Sequence, residues 1–97
     1  PELILGNNNK TTARLNIIGA CWKILETSGY KAAHNSPFKG GFITRNYGHP
    51  KQNIHSLQLE MSQNIYMDEE HCIFDEEKAK RVQSVLENMF QAIIESL

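Results

Sequence analysis

Two stretches of this chain carry apolar side chains at helical spacing, and they constrain its fold more than any other feature. In residues 13–27 the apolar positions recur every three or four residues, at Leu15, Ile18, Trp22 and Leu25. From about residue 76 to the end a second stripe is formed by Val82, Val85, Leu86, Met89, Ile93 and Leu97. A helix with one apolar stripe buries that stripe against another element. The pattern therefore predicts two helices packed on a sheet.

Shorter segments before and between the helices have the character of strands. We assign strands to residues 3–5, 30–34, 42–47 and 54–61. The last of these alternates, with Ile54, Ser56, Gln58 and Glu60 on one side and His55, Leu57, Leu59 and Met61 on the other. A period of two is typical of a strand with one apolar face, and the polar side then faces solvent or a cleft. With 97 residues, the chain is predicted to form a single α/β domain, a mixed β-sheet flanked by helices.

The helix ends are also predicted from local signals. Thr11 or Thr12 could cap the first helix, and Gly29 is placed to end it. Asp75 could cap the last helix, which we expect to run from about 76 to 96 and to be preceded by a polar connection over 62–72.

Charge and composition limit the partners of the chain. Ten Lys and Arg against eleven Asp and Glu give a formal net charge of −1, which argues against binding to nucleic acid or to an anionic membrane. No apolar run approaches the roughly 20 residues that cross a bilayer, and a cytoplasmic location is expected. Cys21 and Cys72 lie in no metal-type spacing, so we interpret them as two reduced thiols, with Cys21 packed on the first helix.

The segment around Gly40 and Gly41 is the first candidate site. A double glycine lets the backbone approach a ligand closely, and Arg45 follows at the far end of the predicted strand. Its planar guanidinium suits bidentate capture of a carboxylate. The competing interpretation of the same pattern is an ordinary Gly-Gly turn with a solvated arginine.

Glu60 is the second candidate, since it ends an otherwise half-buried strand. A poorly solvated carboxylate suits a general acid or base, although a surface salt bridge would explain the same residue. The four histidines are scattered and provide no pair at helical metal-ligand spacing. His55 lies five residues before Glu60, and this odd offset places it on the opposite face of a regular strand.

Taken together, three segments resemble the C-terminal part of the N-formylglutamate amidohydrolase (N-formylglutamate deformylase) family. They are NSPFKGGFITRNYG at 35–48, IHSLQLEM at 54–61 and YMDE at 66–69. The opening ELILG at 2–6 fits in order, so the resemblance covers nearly the whole chain. It implies a zinc-dependent hydrolase with a carboxypeptidase-like α/β fold. The reaction it implies converts N-formyl-L-glutamate to formate and L-glutamate, in histidine degradation.

The resemblance also implies roles for individual residues. Glu60 matches a strand-end glutamate that acts as general base on a metal-activated water. Arg45 matches a Thr-Arg element, and we expect it to hold a substrate carboxylate. Thr44, Gly40 and Gly41 are expected to shape the pocket, and His55 to contact the substrate or a neighbouring group.

Several features depart from the family pattern. Its members are about two to three times as long as this chain, and their zinc ligands lie in upstream segments, so we expect this chain to bind no metal and to be inactive alone. A sheet cut from its neighbours is expected to self-associate through an exposed edge or face. Two other functions stay open. One is a non-catalytic binding module for acylated amino acids or a protein partner, and the other is a related zinc amidohydrolase with another acyl-amino-acid substrate.

Overall fold

A computed structural model describes all residues 1–97, and a three-stranded mixed sheet lies at its centre. Strand β1 (Leu3–Gly6) runs between β2 (Ala32–His34), to which it is parallel, and β3 (Gln58–Met61), to which it is antiparallel. A separate two-stranded hairpin is formed by β4 (Met67–Asp68) and β5 (Ile73–Phe74). The predicted α/β class with a mixed sheet is confirmed.

Two long helices pack together beside this sheet. They are α1 (Leu15–Glu26) and α3 (Glu76–Ser96). The short helix α2 (Phe42–Tyr47) follows β2 and precedes β3 along the chain. The core joins alternate residues of the strands to the apolar stripes of both helices. Its buried members are Leu3, Leu5, Cys21, Leu25, Ile65, Val82 and Met89, with Leu57 and Leu59 packed against them. The odd-numbered residues of β1 and β3 therefore face the helices.

The predicted start of α3 is confirmed, and that of α1 is not. The Asp75 side chain accepts a hydrogen bond from the Lys78 backbone N–H, at 3.0 Å. At α1 the N-cap is Arg14 rather than Thr11 or Thr12. The Thr12 hydroxyl instead donates to the Ser56 carbonyl, at 2.7 Å. This buried threonine thus joins the loop after β1 to the segment before β3.

The predicted strand over 42–47 is wrong, since these residues form α2. Their β-branched and aromatic side chains favour a strand, but the Arg45 N–H donates to the Gly41 carbonyl at 3.1 Å and closes a helical turn. The predicted strand over 54–61 is correct only in its second half, from Gln58. The polar connection over 62–72 holds a short 3-10 turn at Gln63–Ile65 and the strand β4. None of the helices is both long enough and apolar enough to span a membrane.

Candidate active site

Glu60 lies on the face of the sheet that points away from α1 and α3. In the antiparallel pairing of β1 with β3, Ile4 lies opposite Glu60 and Gly6 lies opposite Gln58. Residues that face each other across two strands share a side of the sheet. Because Leu57 and Leu59 pack against the helices, the half-buried side chains of Gln58 and Glu60 project from the other side. The alternation predicted over 54–61 is thus present in its second half, from Leu57 onward.

A short chain of hydrogen bonds joins Glu60 to the glycine turn. The Gln58 amide Nε2 donates to Glu60 Oε1 at 2.6 Å, and Gln58 Oε1 accepts from the Gly41 backbone N–H at 2.7 Å. The Thr44 hydroxyl lies 3.5 Å from the same Gln58 oxygen. Three of the residues singled out in the sequence, Gly41, Thr44 and Glu60, are therefore brought together by one that was not, Gln58.

Glycine is required where the turn meets the sheet. A Cβ on Gly6 would stand 2.8 Å from Gly40 N and 2.9 Å from Lys39 O, closer than real Cβ atoms approach. The Asn8 N–H donates to that same Lys39 oxygen, at 2.8 Å. Gly40 itself has φ of 118°, a conformation that side chains disfavour. The backbone at 39–41 is consequently pressed against the end of β1.

Arg45 is exposed and lies one residue beyond Thr44 on α2. Its Nε lies 3.4 Å from the Gly41 carbonyl oxygen, so the side chain bends back along the first turn of its own helix. The guanidinium forms no ion pair in the chain, since the single pair present joins His71 to Asp68. Its remaining N–H donors are free for an anionic ligand.

His55 lies outside this hydrogen-bonded group. Its Nδ1 accepts from the Arg14 backbone N–H at 3.2 Å, and its Nε2 lies 3.0 Å from the Asn53 side-chain oxygen. Burial, with a smaller effect of the Arg14 charge, lowers the pKa of His55 below 6.5. The observed contacts tie His55 to Arg14, the residue that begins α1, and its contact with substrate stays a prediction.

A second polar group at the end of β1 was not predicted as a cluster. Asn7 is completely buried, and its side-chain oxygen accepts from Lys10 N at 2.8 Å and from Asn35 Nδ2 at 2.7 Å. Its Nδ2 lies 2.6 Å from His34 Nε2, and the His34 ring stacks on Trp22 with centroids 4.9 Å apart. Three successive asparagines in the sequence indicated only a polar loop, yet Asn7 ties the two loops after β1 and β2 together.

One set of three side chains could jointly ligate a metal ion. It comprises Asp68, Glu70 and His71, whose ligand atoms lie within 4.8 Å of one another. The set is on the surface, where His71 Nδ1 lies 2.8 Å from Asp68 Oδ2. The hydrogen bond from the His71 side chain is the main reason why the pKa of Asp68 is lowered. None of the three residues is hydrogen-bonded to Gln58 or Glu60.

Glu60 does not line any of the larger cavities of the chain. The larger cavities of the chain are lined by other residues, the largest by a set that includes Tyr30, Ile65 and Arg81. Tyr66 is partly buried and packs against the apolar core.

Comparison with known proteins identifies the family. The family model described as N-formylglutamate amidohydrolase matches residues 1–67. An N-formylglutamate deformylase of Pseudomonas putida is 44% identical over 70 residues, which cover 71% of this chain and 26% of that protein. One from Pseudomonas aeruginosa is 33% identical over 101 residues, covering 97% of this chain and 36% of its own length.

A solved structure supports the fold independently. The crystal structure of the N-formylglutamate amidohydrolase from Ralstonia eutropha superposes with a TM-score of 0.78 at 24% identity, covering 98% of this chain and 33% of that one. The chain thus spans only about a quarter to a third of these relatives. By the match of more than half its length, it belongs to the N-formylglutamate amidohydrolase family.

Proposed function

We propose that this chain forms one wall of an active site that hydrolyses N-formyl-L-glutamate to formate and L-glutamate. The observation that carries the proposal is the hydrogen-bonded path from Glu60 through Gln58 to Gly41, at the start of the helix that bears Arg45. The Glu60 carboxylate suits proton transfer at the scissile amide of this substrate, and the Arg45 guanidinium suits binding of one of its free carboxylates. The relatives named N-formylglutamate deformylase support this substrate.

In the proposed reaction Glu60 acts as general base. Only its Oε1 is engaged, by Gln58, so Oε2 is free to accept a proton from the attacking water. The water oxygen bonds to the formyl carbon, and the C–N bond then breaks. Glu60 returns the proton to the leaving nitrogen, so water is consumed and formate and an amine are released. Proton transfer by a positioned side chain typically contributes about 10²–10⁴-fold to a rate.

Arg45 supplies binding rather than proton transfer. Its exposed guanidinium provides several N–H donors in a planar fork, which matches a carboxylate. The bend of Arg45 toward the Gly41 carbonyl keeps the fork near the glycine turn. Thr44, Gly40 and Gly41 would shape the surface between this clamp and Glu60.

The residues around Glu60 do not fit a zinc site by themselves. A zinc ion bound by protein takes three or four nitrogen, sulfur or carboxylate ligands. Glu60 is bonded to an amide, and His55 is committed to Arg14 and Asn53. The three residues that could share an ion are Asp68, Glu70 and His71, and none of them is hydrogen-bonded to Glu60 or His55. We therefore propose that the zinc which the family resemblance implies is not held by these 97 residues, and that the chain alone is inactive.

Other parts of the proposal follow from the family resemblance. They are a carboxypeptidase-like fold for the whole protein, a C-terminal place of this chain within it, a cytoplasmic location and a role in histidine degradation. The superposition on the Ralstonia eutropha protein supports the first of these only at the level of the shared α/β fold.

The test uses a longer protein that contains this chain, assayed for formate release from N-formylglutamate. Glu60→Gln is expected to lower kcat by about 10²-fold or more. Arg45→Ala is expected to raise KM by roughly 10–100-fold, since a hydrogen bond to a charged group contributes about 1.5–3 kcal/mol. Glu87→Gln and Arg81→Ala are matched controls on exposed positions of α3.

Two results would contradict the assignments. A Glu60→Gln protein with normal kcat would remove Glu60 as the base. Binding of N-formylglutamate without turnover by the longer wild-type protein would favour a non-catalytic binding module. Metal analysis of the 97-residue chain is a separate check, because stoichiometric zinc would show that its own residues form the metal site.

A further inference from the structure

Gln58 links the candidate base, Glu60, to Gly41, the residue that caps the helix bearing Arg45. It is half-buried on β3, and its amide is bonded at both ends, to Glu60 and to Gly41. We infer that Gln58 is the positioning residue that holds the general base and helix α2 in a fixed relation. This inference rests on the proposed function, because it assigns a role within that reaction.

The two partners settle the orientation of the Gln58 amide. The Gly41 N–H is a donor, so it requires the amide oxygen, and that oxygen lies 2.7 Å away. The Glu60 carboxylate is an acceptor, so it requires the amide nitrogen, and that nitrogen lies 2.6 Å away. A flipped amide would place donor against donor and acceptor against acceptor. Only a side chain with one donor and one acceptor at this length satisfies both partners.

The backbone around Gln58 makes this side chain a rigid support. Gln58 lies opposite Gly6 in the sheet, and Gly6 in turn touches the backbone of Lys39 and Gly40. The glycine turn is thus fixed to the sheet by backbone contact on one side and by the Gln58 amide on the other. A carboxylate that is held on such a support needs less reordering to reach its reactive geometry.

The two hydrogen bonds can be removed separately. In Gln58→Glu a carboxylate oxygen still accepts from the Gly41 N–H, but the permanent amide donor to Glu60 is replaced by a second carboxyl group, which donates only while it holds a proton. Such neighbours cannot both ionise easily, so one proton is shared between them. In Gln58→Met, a side chain of similar length, both bonds are lost.

The variants therefore have different kinetic signatures in the longer protein. Gln58→Glu is expected to lower kcat by roughly tenfold to a hundredfold and to move the acid limb of the kcat–pH profile to higher pH, with KM within about twofold of wild type. Gln58→Met is expected to lower kcat similarly and also to raise KM several-fold, because the α2 turn that carries Arg45 is released. The shift of the pH profile in Gln58→Glu reports that positions 58 and 60 are neighbours, and the uncharged Gln58→Met variant reports whether the amide positions Glu60.

Gln91 provides a matched control. It donates from Nε2 to Glu95 Oε1 at 3.0 Å, on an exposed part of α3. The changes Gln91→Glu and Gln91→Met alter the same kind of amide–carboxylate pair at a distance from the site. Both are expected to leave kcat, KM and the pH profile unchanged.

Amide exchange of Gly41, followed by NMR, tests the same inference without any turnover. Loss of a hydrogen bond worth about 1.4 kcal/mol corresponds to roughly tenfold faster exchange, expected in Gln58→Met and absent in Gln58→Glu. If the wild-type protein has no deformylase activity but exchange follows this pattern, the proposed function is wrong and Gln58 still fixes the turn. Normal kinetics in both Gln58 variants of an active enzyme, or unchanged Gly41 exchange in Gln58→Met, would overturn the inference.

Discussion

The contact of Gly6 with the backbone at 39–40 leads to a sharp prediction on stability. In Gly6→Ala the new Cβ would lie 2.8 Å from Gly40 N and from Lys39 C, and 2.9 Å from Lys39 O. Ordinary contact begins near 3.4 Å, so strand and turn must separate by about 0.6 Å, which is 3.4 − 2.8. The atoms involved belong to the backbone, and no change of rotamer relieves the overlap.

The cost of Gly6→Ala follows from two effects. Overpacking a filled site costs about 1–3 kcal/mol, and weakening the 2.8 Å bond from Asn8 N–H to the Lys39 oxygen adds roughly 1 kcal/mol. The expected loss in the free energy of unfolding is therefore about 2–4 kcal/mol. Since small domains are stable by only about 5–15 kcal/mol, the loss would be large.

Gly19→Ala is the matched control, because it is the same substitution in open space. No atom lies within 4 Å of a Cβ at this position, in the middle of α1. The variant is expected to gain about 0.8–1.0 kcal/mol from the better helix propensity of alanine. Urea unfolding of both variants, followed by the fluorescence of the single tryptophan, Trp22, measures the difference. A Gly6→Ala protein as stable as wild type would refute the argument.

Three further predictions concern acid stability, thiol reactivity and self-association. Burial, aided by the charge of Lys10, lowers the pKa of His34 below 6.5. Below pH 6.5 the unfolded chain therefore binds more protons than the folded chain, so the free energy of unfolding is full above pH 6.5 and declines as the pH falls below it. Urea midpoints at pH 7.5 and 5.5 measure this decline. An equal decline in His34→Gln would contradict the prediction. Burial raises the pKa of Cys21 to about 11, while Cys72 is exposed. A thiol reagent is therefore expected to modify only Cys72 rapidly in the native chain and both cysteines in urea. Rapid modification of both in the native chain would argue against the buried position of Cys21. An apolar groove lies between β3 and α3, and Phe90 at its border is 56% exposed. We expect this groove to cause concentration-dependent self-association, which Phe90→Lys weakens. Sedimentation that shows a monomer at all concentrations would exclude this prediction.

Much of the architecture was predictable because local and tertiary signals agree. Asp75 followed by an acidic first turn and a regular apolar stripe predicts α3, and the helix begins where expected. The alternation from Gln58 onward predicts a strand with one polar face, and the pairing with β1 preserves it. In both segments the residues that favour the element also make its packing contacts.

The segment that was mispredicted depends on distant partners. Residues 42–47 have the composition of a strand, and their helical turn is fixed by Gly40 in a left-handed conformation and by the bond from Gly41 to Gln58, 17 residues away. The role of Gln58 was missed for the same reason, although its place two residues before Glu60 was a usable signal. Asn7 shows most clearly what local sequence patterns miss. It was predicted to lie in a polar loop, but it is completely buried and hydrogen-bonded to Asn35 on another loop.

The alternation along β3 has a consequence for how such a protein can change over time. Leu57 and Leu59 maintain the packing with the helices, whereas Gln58 and Glu60 face the other side. Substitutions at the even positions can therefore alter chemistry without disturbing the hydrophobic core. The requirement that the amide at 58 and the carboxylate at 60 match predicts that these two positions covary among relatives.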